Sequence, residues 1–245
     1  MAPRRNVMII DLLSNPRNVS TALMYAFAQR KDCNVLDEPF YAYYLKQSGE
    51  GHPMREEILA DQPQTVEGVI HQIDVLSRER SHLFLKNMAH HLRHTDWSIL
   101  KGFYNLIFIR HPAEVLASFA KIIEEPKLKD IAVRDQFELY SFFKKENIPF
   151  TIIDSKDLLK EPEGMLNNLC EELGIPFDPE MLSWPVGPKL FDGVWAPYWY
   201  RNVHKSSSFE KTGHYGQNSL PEHLNTIMHE ALEYYKPLYD ARLRL

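Results

Sequence analysis

Residues 14–21 combine side chains and a chain position that suit a bound phosphate. They read S-N-P-R-N-V-S-T, follow a short apolar stretch and precede apolar residues at helical spacing. A strand followed by a helix start presents backbone N–H groups and the positive end of the helix dipole to an anion. Arg17 adds a planar cationic donor, and Ser20 and Thr21 add hydroxyl donors. This pattern predicts a phosphate-binding junction, the alternative being an ordinary helix cap beside a solvated arginine.

This junction is not a Walker A loop, because the pattern G-x-x-x-x-G-K-[ST] is absent from the sequence. Glycine is scarce, with 10 residues in 245, and the pattern G-x-G-x-x-G is absent as well. Walker and Rossmann loops bring the backbone close to a phosphate, which requires glycine. A phosphate site near Arg17 must therefore bind its ligand through side chains and the start of a helix.

A second pair of an arginine and a hydroxyl residue is formed by Arg110 and Ser118. Arg110 ends an apolar stretch that is typical of a strand, and Ser118 follows eight residues later, within the next predicted helix. Open α/β folds bind ligands at the edge where their parallel strands end. An arginine fork with a hydroxyl suits a second phosphate there. The alternative is that Arg110 forms a surface ion pair.

The elements that must position these residues are short apolar strands separated by helices. The strand candidates are residues 7–13, 33–37, 82–88, 105–110 and 150–154. Helical spacing of apolar residues is clearest from Pro112 to Ile123 and again from about Pro221. Such an alternation indicates a parallel sheet covered on both faces. We therefore predict a three-layer α/β fold, with one domain over residues 1–245.

Two long segments lack this periodicity. Residues 48–63 are polar and rich in turn formers, so we expect a surface loop with little regular structure. Residues 184–216 are aromatic and interrupted by proline and glycine, and so long a loop is usually functional or a lid. Residues 195–200 read W-A-P-Y-W-Y, which predicts either packing onto the core or a wall of an acceptor pocket.

Composition narrows the class of protein. The 28 Lys+Arg and 33 Asp+Glu residues give a formal net charge of −5, and 44% of the residues are hydrophobic, as in globular chains. The slight acidity argues against bulk nucleic-acid binding, and no apolar run approaches the ~18 residues of a membrane helix. Two cysteines, Cys33 and Cys170, and no recognisable signal peptide favour a reducing compartment, so we expect a cytoplasmic location.

The two arginine-and-hydroxyl motifs together resemble the PAPS-dependent sulfotransferase family, in particular its small bacterial-type members. In that family, P-[RK]-x-x-[ST]-[ST] holds the 5′-phosphosulfate of 3′-phosphoadenosine 5′-phosphosulfate (PAPS). An arginine at a strand end, with a serine eight residues later, holds the 3′-phosphate. Residues 16–21 and the pair Arg110 and Ser118 match these patterns in the expected order. The resemblance implies a P-loop NTPase-like fold and a 5′-phosphosulfate site formed by Arg17, Asn18, Val19, Ser20 and Thr21.

The resemblance extends further along the chain. Residues 155–158 read S-K-D-L and look like the family's Y-E-D-L turn without its tyrosine. A late loop of the form R-K-G-x-x-G closes over the 3′-phosphate in the family. Residues 211–216 read K-T-G-H-Y-G, which is similar and places Lys211 and Gly213 in register. The resemblance therefore implies that Lys211 and Gly213 also contact the nucleotide.

The resemblance also implies a general base, for which three residues compete. Glu38 follows the second strand and precedes aromatic residues, as the base of Golgi-type sulfotransferases does. The cytosolic branch uses a histidine after the third strand, where this chain has the family's lysine, Lys86, followed by His90 and His91. The base is Glu38 or else one of these histidines, and burial of Glu38 would help by raising its pKa. Arg17 and Lys86 would stabilise the bridging oxygen as its bond to sulfur breaks.

The histidines also raise the question of a metal. A helix would bring His94 close to both His90 and His91, which lie four and three residues before it. A zinc site needs further ligands, and neither an H-E-x-x-H motif nor paired cysteines supply them. We therefore expect no metal site, and a solvated or substrate-facing histidine cluster instead.

The sequence thus predicts transfer of the sulfuryl group from PAPS, as co-substrate, to a hydroxyl of a small molecule, with an amine as the less favoured acceptor. A small acceptor is expected because little chain length is left for a polymer-binding module. Neither nucleic acid nor a membrane is an expected partner, and the oligomeric state is open. Two alternatives keep the fold: an ATP-dependent phosphotransferase, for which the Walker lysine is lacking, and a non-catalytic binding protein on a sulfotransferase scaffold.

Overall fold

A computed structural model describes residues 7–120, 125–210 and 220–245. Its strands are β1 (Met8–Ser14), β2 (Cys33–Asp37), β3 (His82–Met88), β4 (Tyr104–Ile109) and β5 (Phe150–Asp154). They form one parallel sheet in the order β2-β3-β1-β4-β5. The five strands predicted from the sequence are confirmed, each to within one residue at either end.

The α-helices lie between β1 and β2, between β2 and β3, between β4 and β5, and after β5. They are α1 (Ser20–Gln29), α2 (Tyr41–Ser48), α3 (Arg55–Asp61), α4 (Val66–Ser77), α5 (Pro112–Phe119), α6 (Val133–Glu146), α7 (Ser155–Lys160), α8 (Pro162–Glu172), α9 (Ala196–Trp199) and α10 (Asn225–Asp240). Short 3₁₀ turns cover Ala89–Leu92, Trp97–Gly102, Leu128–Ile131, Pro179–Leu182, Val203–Lys205 and Glu222–Leu224. No helix in the described ranges is long and apolar enough to cross a bilayer.

The helices cover both faces of the sheet. Helices α4, α5, α6 and α10 pack on one face, and α1, α7 and α8 pack on the other. Leu12 and Leu13 of β1 are both fully buried, one in each of these two cores. Successive side chains of a strand point to opposite faces, so a strand covered twice is apolar at nearly every position. The predicted three-layer α/β architecture with a P-loop-like fold is confirmed.

The carboxyl ends of four neighbouring strands meet at one edge of the sheet. In the strand register, Ser14 pairs with both Met88 and Phe108, and Asp37 pairs with Lys86. The β1–α1 junction and the first residues after β2 and β4 therefore lie side by side with the end of β3. This is the edge at which parallel α/β sheets bind their ligands.

The prediction for residues 48–63 is wrong in part, because helix α3 forms within that segment. Its Ile58 is fully buried in a third apolar cluster with Tyr41 and Trp195. A helix of seven residues is too short to be stable alone, so the tertiary contacts of Ile58 stabilise it. The segment is mainly polar and has no helical spacing of apolar residues, so the sequence did not indicate a helix with one buried side.

The helix after β4 and the last helix were predicted correctly in kind, with shifted ends. Helix α5 ends at Phe119, and the Ile123 placed on its apolar stripe lies outside the described residues. Helix α10 starts at Asn225 after a 3₁₀ turn over Glu222–Leu224. In the long late segment, only α9 and one 3₁₀ turn are regular up to residue 210.

Candidate active site

The junction between β1 and α1 has a strained backbone at Arg17. The φ angle of Arg17 is 59°, in the left-handed region that non-glycine residues seldom adopt. Such a conformation costs on the order of 1–3 kcal/mol and persists only where the surrounding structure imposes it, often at functional sites. Helix α1 starts three residues later, with the buried Ser20 and Thr21 in its first turn. The N–H groups of a first turn lack partners within the helix and are available to a ligand.

Asn18 holds this junction in place without glycine. Its Nδ2 donates to the Phe108 carbonyl and to Asn15 Oδ1, at 3.0 Å each. Its Oδ1 accepts the Val19 N–H at 2.8 Å. Asn18 and Val19 line the cavity, as do Arg17, Ser20 and Thr21. Because Asn18 Nδ2 is bonded to the Phe108 carbonyl, Asn18 links the junction to the end of β4. The Val19 N–H is bonded within the junction by the same side chain.

The two arginine-and-hydroxyl motifs are in direct contact. Arg17 Nε donates to Ser118 Oγ at 2.9 Å, and Arg110 Nη1 donates to the Arg17 carbonyl at 2.6 Å. Arg110 Nε also donates to Glu114 Oε2 at 2.9 Å. The motifs lie 93 to 101 residues apart in the chain, yet they form one continuous wall of the cavity. Such a wall suits a ligand that carries more than one anionic group.

Lys86 is fully buried near the end of β3, where an ammonium group needs hydrogen-bonding partners. Its Nζ donates to Asp37 Oδ1 at 3.0 Å, to Tyr200 Oη at 2.6 Å and to Glu38 Oε1. Burial lowers the pKa of Lys86, but the carboxylates of Asp37 and Glu38 outweigh burial and raise the pKa above its usual value. Lys86 is therefore an ammonium ion at neutral pH.

Glu38 directly follows β2, and its carboxyl lines the cavity beside Lys86. Its backbone is also left-handed, with a φ angle of 42°. Burial raises the pKa of the Glu38 carboxyl, the Lys86 ammonium opposes that shift, and Asp37 adds to it. The pKa is raised overall, which makes the ionised carboxylate a better proton acceptor than an exposed glutamate.

The backbone of Glu38 is held by Gln62, a residue that the sequence did not single out. Gln62 Nε2 donates to the carbonyls of Glu38 at 3.1 Å and Asp37 at 3.3 Å, and its Oε1 accepts the Ala42 N–H at 3.2 Å. One amide side chain thus satisfies three backbone groups of the turn that carries Glu38. Gln62 belongs to no motif and lies in the segment predicted as an irregular loop, so only the fold reveals it.

His90 and His91 lie on the 3₁₀ turn after β3, and both line the cavity. Burial lowers the pKa of His90 to about 3 and holds the pKa of His91 well below its usual value. The His91 ring stacks on Tyr41 with ring centroids 4.5 Å apart, and His91 Nδ1 lies 3.8 Å from Glu38 Oε2. Neutral imidazoles with such low pKa values are weak proton acceptors at neutral pH.

The aromatic residues 195–200 divide between the two roles that the sequence left open. Trp195 is buried in the core, and its Nε1 donates to Tyr200 Oη at 3.0 Å. Tyr198, Trp199 and Tyr200 line the cavity, which has a volume of about 550 Å³. The segment therefore packs onto the core through Trp195, Ala196 and Tyr200 and contributes Tyr198, Trp199 and Tyr200 to the cavity wall.

The remaining predictions concern the late loop with Lys211 and Gly213, the third histidine, His94, and a metal site. Lys211 and Gly213, expected to close over a 3′-phosphate, lie outside the described residues. His94 lies beyond the 3₁₀ turn that carries the other two histidines. Within the described ranges, no group of three or more His, Cys, Asp or Glu side chains is placed to hold a metal ion.

The fold and this edge of the sheet define an α/β domain with a P-loop-like architecture. The sequence matches the family model described as a sulfotransferase domain over residues 8–242. The chain therefore belongs to the sulfotransferase domain family.

Similar proteins were found in both sequence and structure comparisons. Two Arabidopsis thaliana proteins, named branched-chain-amino-acid aminotransferase-like protein 1 and 2, are 34% and 35% identical over 233 residues. The matches cover 95% of this chain but 41% of each relative, so the chain spans about two fifths of the length of the curated relatives it matches.

Two solved structures share the fold. The sulfotransferase domain of the Synechococcus PCC 7002 olefin synthase has a TM-score of 0.64 and 18% identity, covering 96% of this chain and 97% of that one. A mouse sulfotransferase complexed with PAP has a TM-score of 0.54 and 12% identity, covering 96% of this chain and 90% of that one. At these identities the comparison establishes the architecture, which agrees with the sheet order described above.

Proposed function

We propose that this domain, over residues 1–245, transfers the sulfuryl group of PAPS to a hydroxyl group of a small-molecule acceptor, with an amine as the less favoured acceptor. The observation that carries the proposal is that Arg17, Lys86 and Arg110 line one cavity beside the carboxyl of Glu38. Three cations around one cavity suit a polyanion despite the net charge of −5. A cytoplasmic location is part of the proposal, and both cysteines are free thiols.

The nucleotide would lie along the wall formed by the two arginine-and-hydroxyl motifs. Arg17, Ser20, Thr21 and the first-turn N–H groups of α1 would bind the 5′-phosphosulfate, with Asn18 and Val19 shaping that junction. Arg110 and Ser118 would bind the 3′-phosphate, with Lys211 and Gly213 closing over it. PAP is what remains of PAPS once the sulfuryl group has left, and its presence in the mouse structure supports this choice of nucleotide.

The chemistry would need a base and a cationic site for the leaving oxygen. Glu38 would accept the proton of the acceptor hydroxyl as its oxygen bonds to sulfur. The bond between sulfur and the bridging oxygen breaks, and Lys86 and Arg17 would neutralise the charge left on that oxygen. Because these side chains supply the positive charge, the proposed reaction needs no metal ion.

We assign the role of base to Glu38 over His90 and His91. The pKa of Glu38 is raised, mainly by burial, whereas burial lowers the pKa of both histidines. A general base works best when its pKa lies near the operating pH. His91 Nδ1 lies 3.8 Å from Glu38 Oε2, so His91 would shape the pocket around the carboxyl.

Nucleotide binding tests the proposal directly. Adenosine 3′,5′-bisphosphate at ~100 times its Kd should stabilise the folded protein by ~2.7 kcal/mol, with or without Mg²⁺. An Arg110→Leu variant should lose most of this thermal shift, whereas the smaller shift with AMP, which has no 3′-phosphate, should change little. Stabilisation by ATP with Mg²⁺ but not by the bisphosphate would overturn the proposal in favour of a phosphotransferase. Turnover of PAPS with a panel of hydroxylated acceptors then separates an enzyme from a non-catalytic scaffold.

Replacing Gln62 by leucine should lower kcat by ~10-fold, because the turn that carries Glu38 loses the hydrogen bonds of the Gln62 amide. The Kd for the bisphosphate should not change, since the variant leaves Arg17 and Arg110 untouched. Gln64→Leu is a matched control, because Gln64 Nε2 donates to the Leu59 carbonyl at 2.7 Å, outside the Glu38 turn. Steady-state kinetics of both variants check this, and equal losses of kcat would contradict a specific role for Gln62.

A further inference from the structure

The ammonium group of Lys86 has three N–H donors, and the protein itself uses all three. The acceptors are Asp37 Oδ1 at 3.0 Å, Tyr200 Oη at 2.6 Å and Glu38 Oε1. A lysine that neutralises a leaving oxygen must release one of these acceptors when the nucleotide is bound. The surroundings of the three acceptors decide which of the bonds is exchanged.

Asp37 and Tyr200 are held by further hydrogen bonds. Tyr200 Oη donates to Asp37 Oδ2 at 2.8 Å and accepts the Trp195 indole N–H at 3.0 Å. Asp37 Oδ2 also accepts the Gly193 N–H at 3.1 Å. Withdrawing Lys86 from Asp37 would remove a charge-assisted bond from a buried carboxylate that is not part of the cavity lining. Tyr200 lines the cavity, as Glu38 does, but its hydroxyl is fixed by its bonds with Asp37 and Trp195.

The Glu38 carboxyl has weaker hydrogen bonds, apart from the one with Lys86, than Asp37 and Tyr200 have. Apart from Lys86, its carboxyl has Tyr200 Oη at 3.4 Å, while His91 Nδ1 at 3.8 Å is beyond hydrogen-bond distance. Its side chain also lines the cavity, so a ligand or an acceptor hydroxyl can replace the contact with Lys86. The bond between Lys86 and Glu38 is therefore the one that costs least to exchange.

We propose that Asp37 and Tyr200 are positioning residues that anchor the Lys86 ammonium while its third N–H moves from Glu38 to the bridging oxygen of the bound nucleotide. This inference rests on the proposed function. The exchange places positive charge where the leaving oxygen becomes negative, and it removes the cation that pairs with the Glu38 carboxylate. Lys86 keeps its proton throughout, and Glu38 takes the proton of the acceptor hydroxyl as the bond between sulfur and the bridging oxygen breaks.

A Tyr200→Phe variant tests the anchor by removing one oxygen atom. We expect kcat to fall by ~10- to 100-fold, because a hydrogen bond to a charged group is lost. The KM for PAPS and the Kd for the bisphosphate should stay near the wild-type values, since Arg17 and Arg110 are unchanged. Circular dichroism verifies that the variant is folded.

Tyr25→Phe is the matched control. Tyr25 Oη donates to Asp192 Oδ1 at 2.7 Å, so this residue also ties the late segment to the rest of the protein, through Asp192 instead of Lys86. Activity of Tyr25→Phe should match that of the wild type. If both variants lost kcat equally, Tyr200 would merely hold the segment, and the inference would be overturned.

Asp37→Asn provides a second variant, in which the shape is kept and one charge is lost. It should lower kcat with the Kd for the bisphosphate unchanged, and combining it with Tyr200→Phe should add little, because both changes act on Lys86. Wild-type kcat in both single variants, alongside normal turnover of PAPS by the wild type, would overturn this inference alone. Failure of the wild type to bind the bisphosphate or turn over PAPS would instead overturn the proposed function.

A crystal structure of the wild-type protein with the bisphosphate gives a measurement that does not depend on any variant. Lys86 Nζ should remain bonded to Asp37 and Tyr200 and reach a 5′-phosphate oxygen, with its contact to Glu38 lost. A structure in which Lys86 keeps Glu38 and leaves Asp37 or Tyr200 would show that the anchor is assigned wrongly.

Discussion

Replacing Glu38 by glutamine should lower kcat for sulfuryl transfer by ~10²- to 10⁴-fold, the range that removal of a general base produces. Glutamine keeps the size of the side chain but cannot take the proton of an acceptor hydroxyl. Binding of adenosine 3′,5′-bisphosphate should persist, because the arginines that would hold it are unchanged. Steady-state kinetics together with calorimetric titration of the bisphosphate measure the two quantities on the same preparation.

Two comparison variants make this result specific to Glu38. His90→Asn should keep most of the kcat, because burial lowers the pKa of His90 to about 3 and leaves it a weak base. Glu50→Gln removes another carboxyl that lines the cavity, one that accepts from Tyr44 Oη at 2.7 Å and from Lys129 Nζ at 2.8 Å. A loss of kcat in His90→Asn as large as in Glu38→Gln would assign the base to the histidine instead.

The assignment of Glu38 as the general base also predicts the direction in which kcat/KM changes with pH. Burial first, and then Asp37, raise the pKa of Glu38, against the opposing effect of Lys86. Only the ionised carboxylate accepts a proton, so kcat/KM should rise with pH through this raised pKa. The acid limb of the profile should therefore lie above the usual range of a glutamate and be absent in Glu38→Gln. A limb at the same pH in the variant would show that another group titrates.

The parts of the site that the sequence predicts are those that lie next to strand ends. Near the carboxyl end of a strand lie Arg17, Glu38, Lys86 and Arg110, and strands are recognisable from short apolar stretches. Once the sheet is known to be parallel, its geometry alone brings these residues to one edge. The family motifs then indicate which of these charged residues would bind a phosphate.

The supporting residues could not be predicted, because their contacts join distant parts of the chain. Tyr200 meets Lys86 across 114 residues, and Gln62 meets the Glu38 carbonyl across 24, with no pattern linking either pair. Their contacts depend on the path of the segments between strands, where the sequence showed no periodicity. The same reason accounts for α3, which forms because Ile58 is buried by residues from other segments.

A buried carboxyl in the centre of the sheet makes the stability of the protein depend on pH. Asp11 of β1 is fully buried, and its Oδ1 accepts the Asn87 Nδ2 at 2.7 Å. Burial raises the pKa of Asp11 to about 7, although the bond from Asn87 opposes that shift. In the unfolded chain an aspartate has a pKa of ~3.9, so between these two values the native state binds the extra proton. The contribution of Asp11 to stability is therefore fully present below the unfolded pKa and is lost as pH rises through about 7.

Asp11→Asn should consequently stabilise the protein at pH 8, because the amide keeps an acceptor for Asn87 and never ionises. The advantage of the variant over the wild type should be about 3 kcal/mol larger at pH 8 than at pH 5, since each pH unit between pH 5 and the raised pKa costs the wild type ~1.4 kcal/mol. Urea unfolding of both proteins at the two pH values measures the difference.

Asp96→Asn is the control for this comparison. Hydrogen bonds from the Ser98 N–H and the Ser98 hydroxyl lower the pKa of the exposed Asp96, so Asp96 stays ionised in both states from pH 5 to 8. Loss of that carboxylate should change stability by the same amount at both pH values. If Asp11→Asn and the wild type kept a constant difference as well, Asp11 would already be ionised at pH 5. Its charge would then be stabilised within the sheet, and the contact with Asn87 would have to outweigh the burial that opposes it.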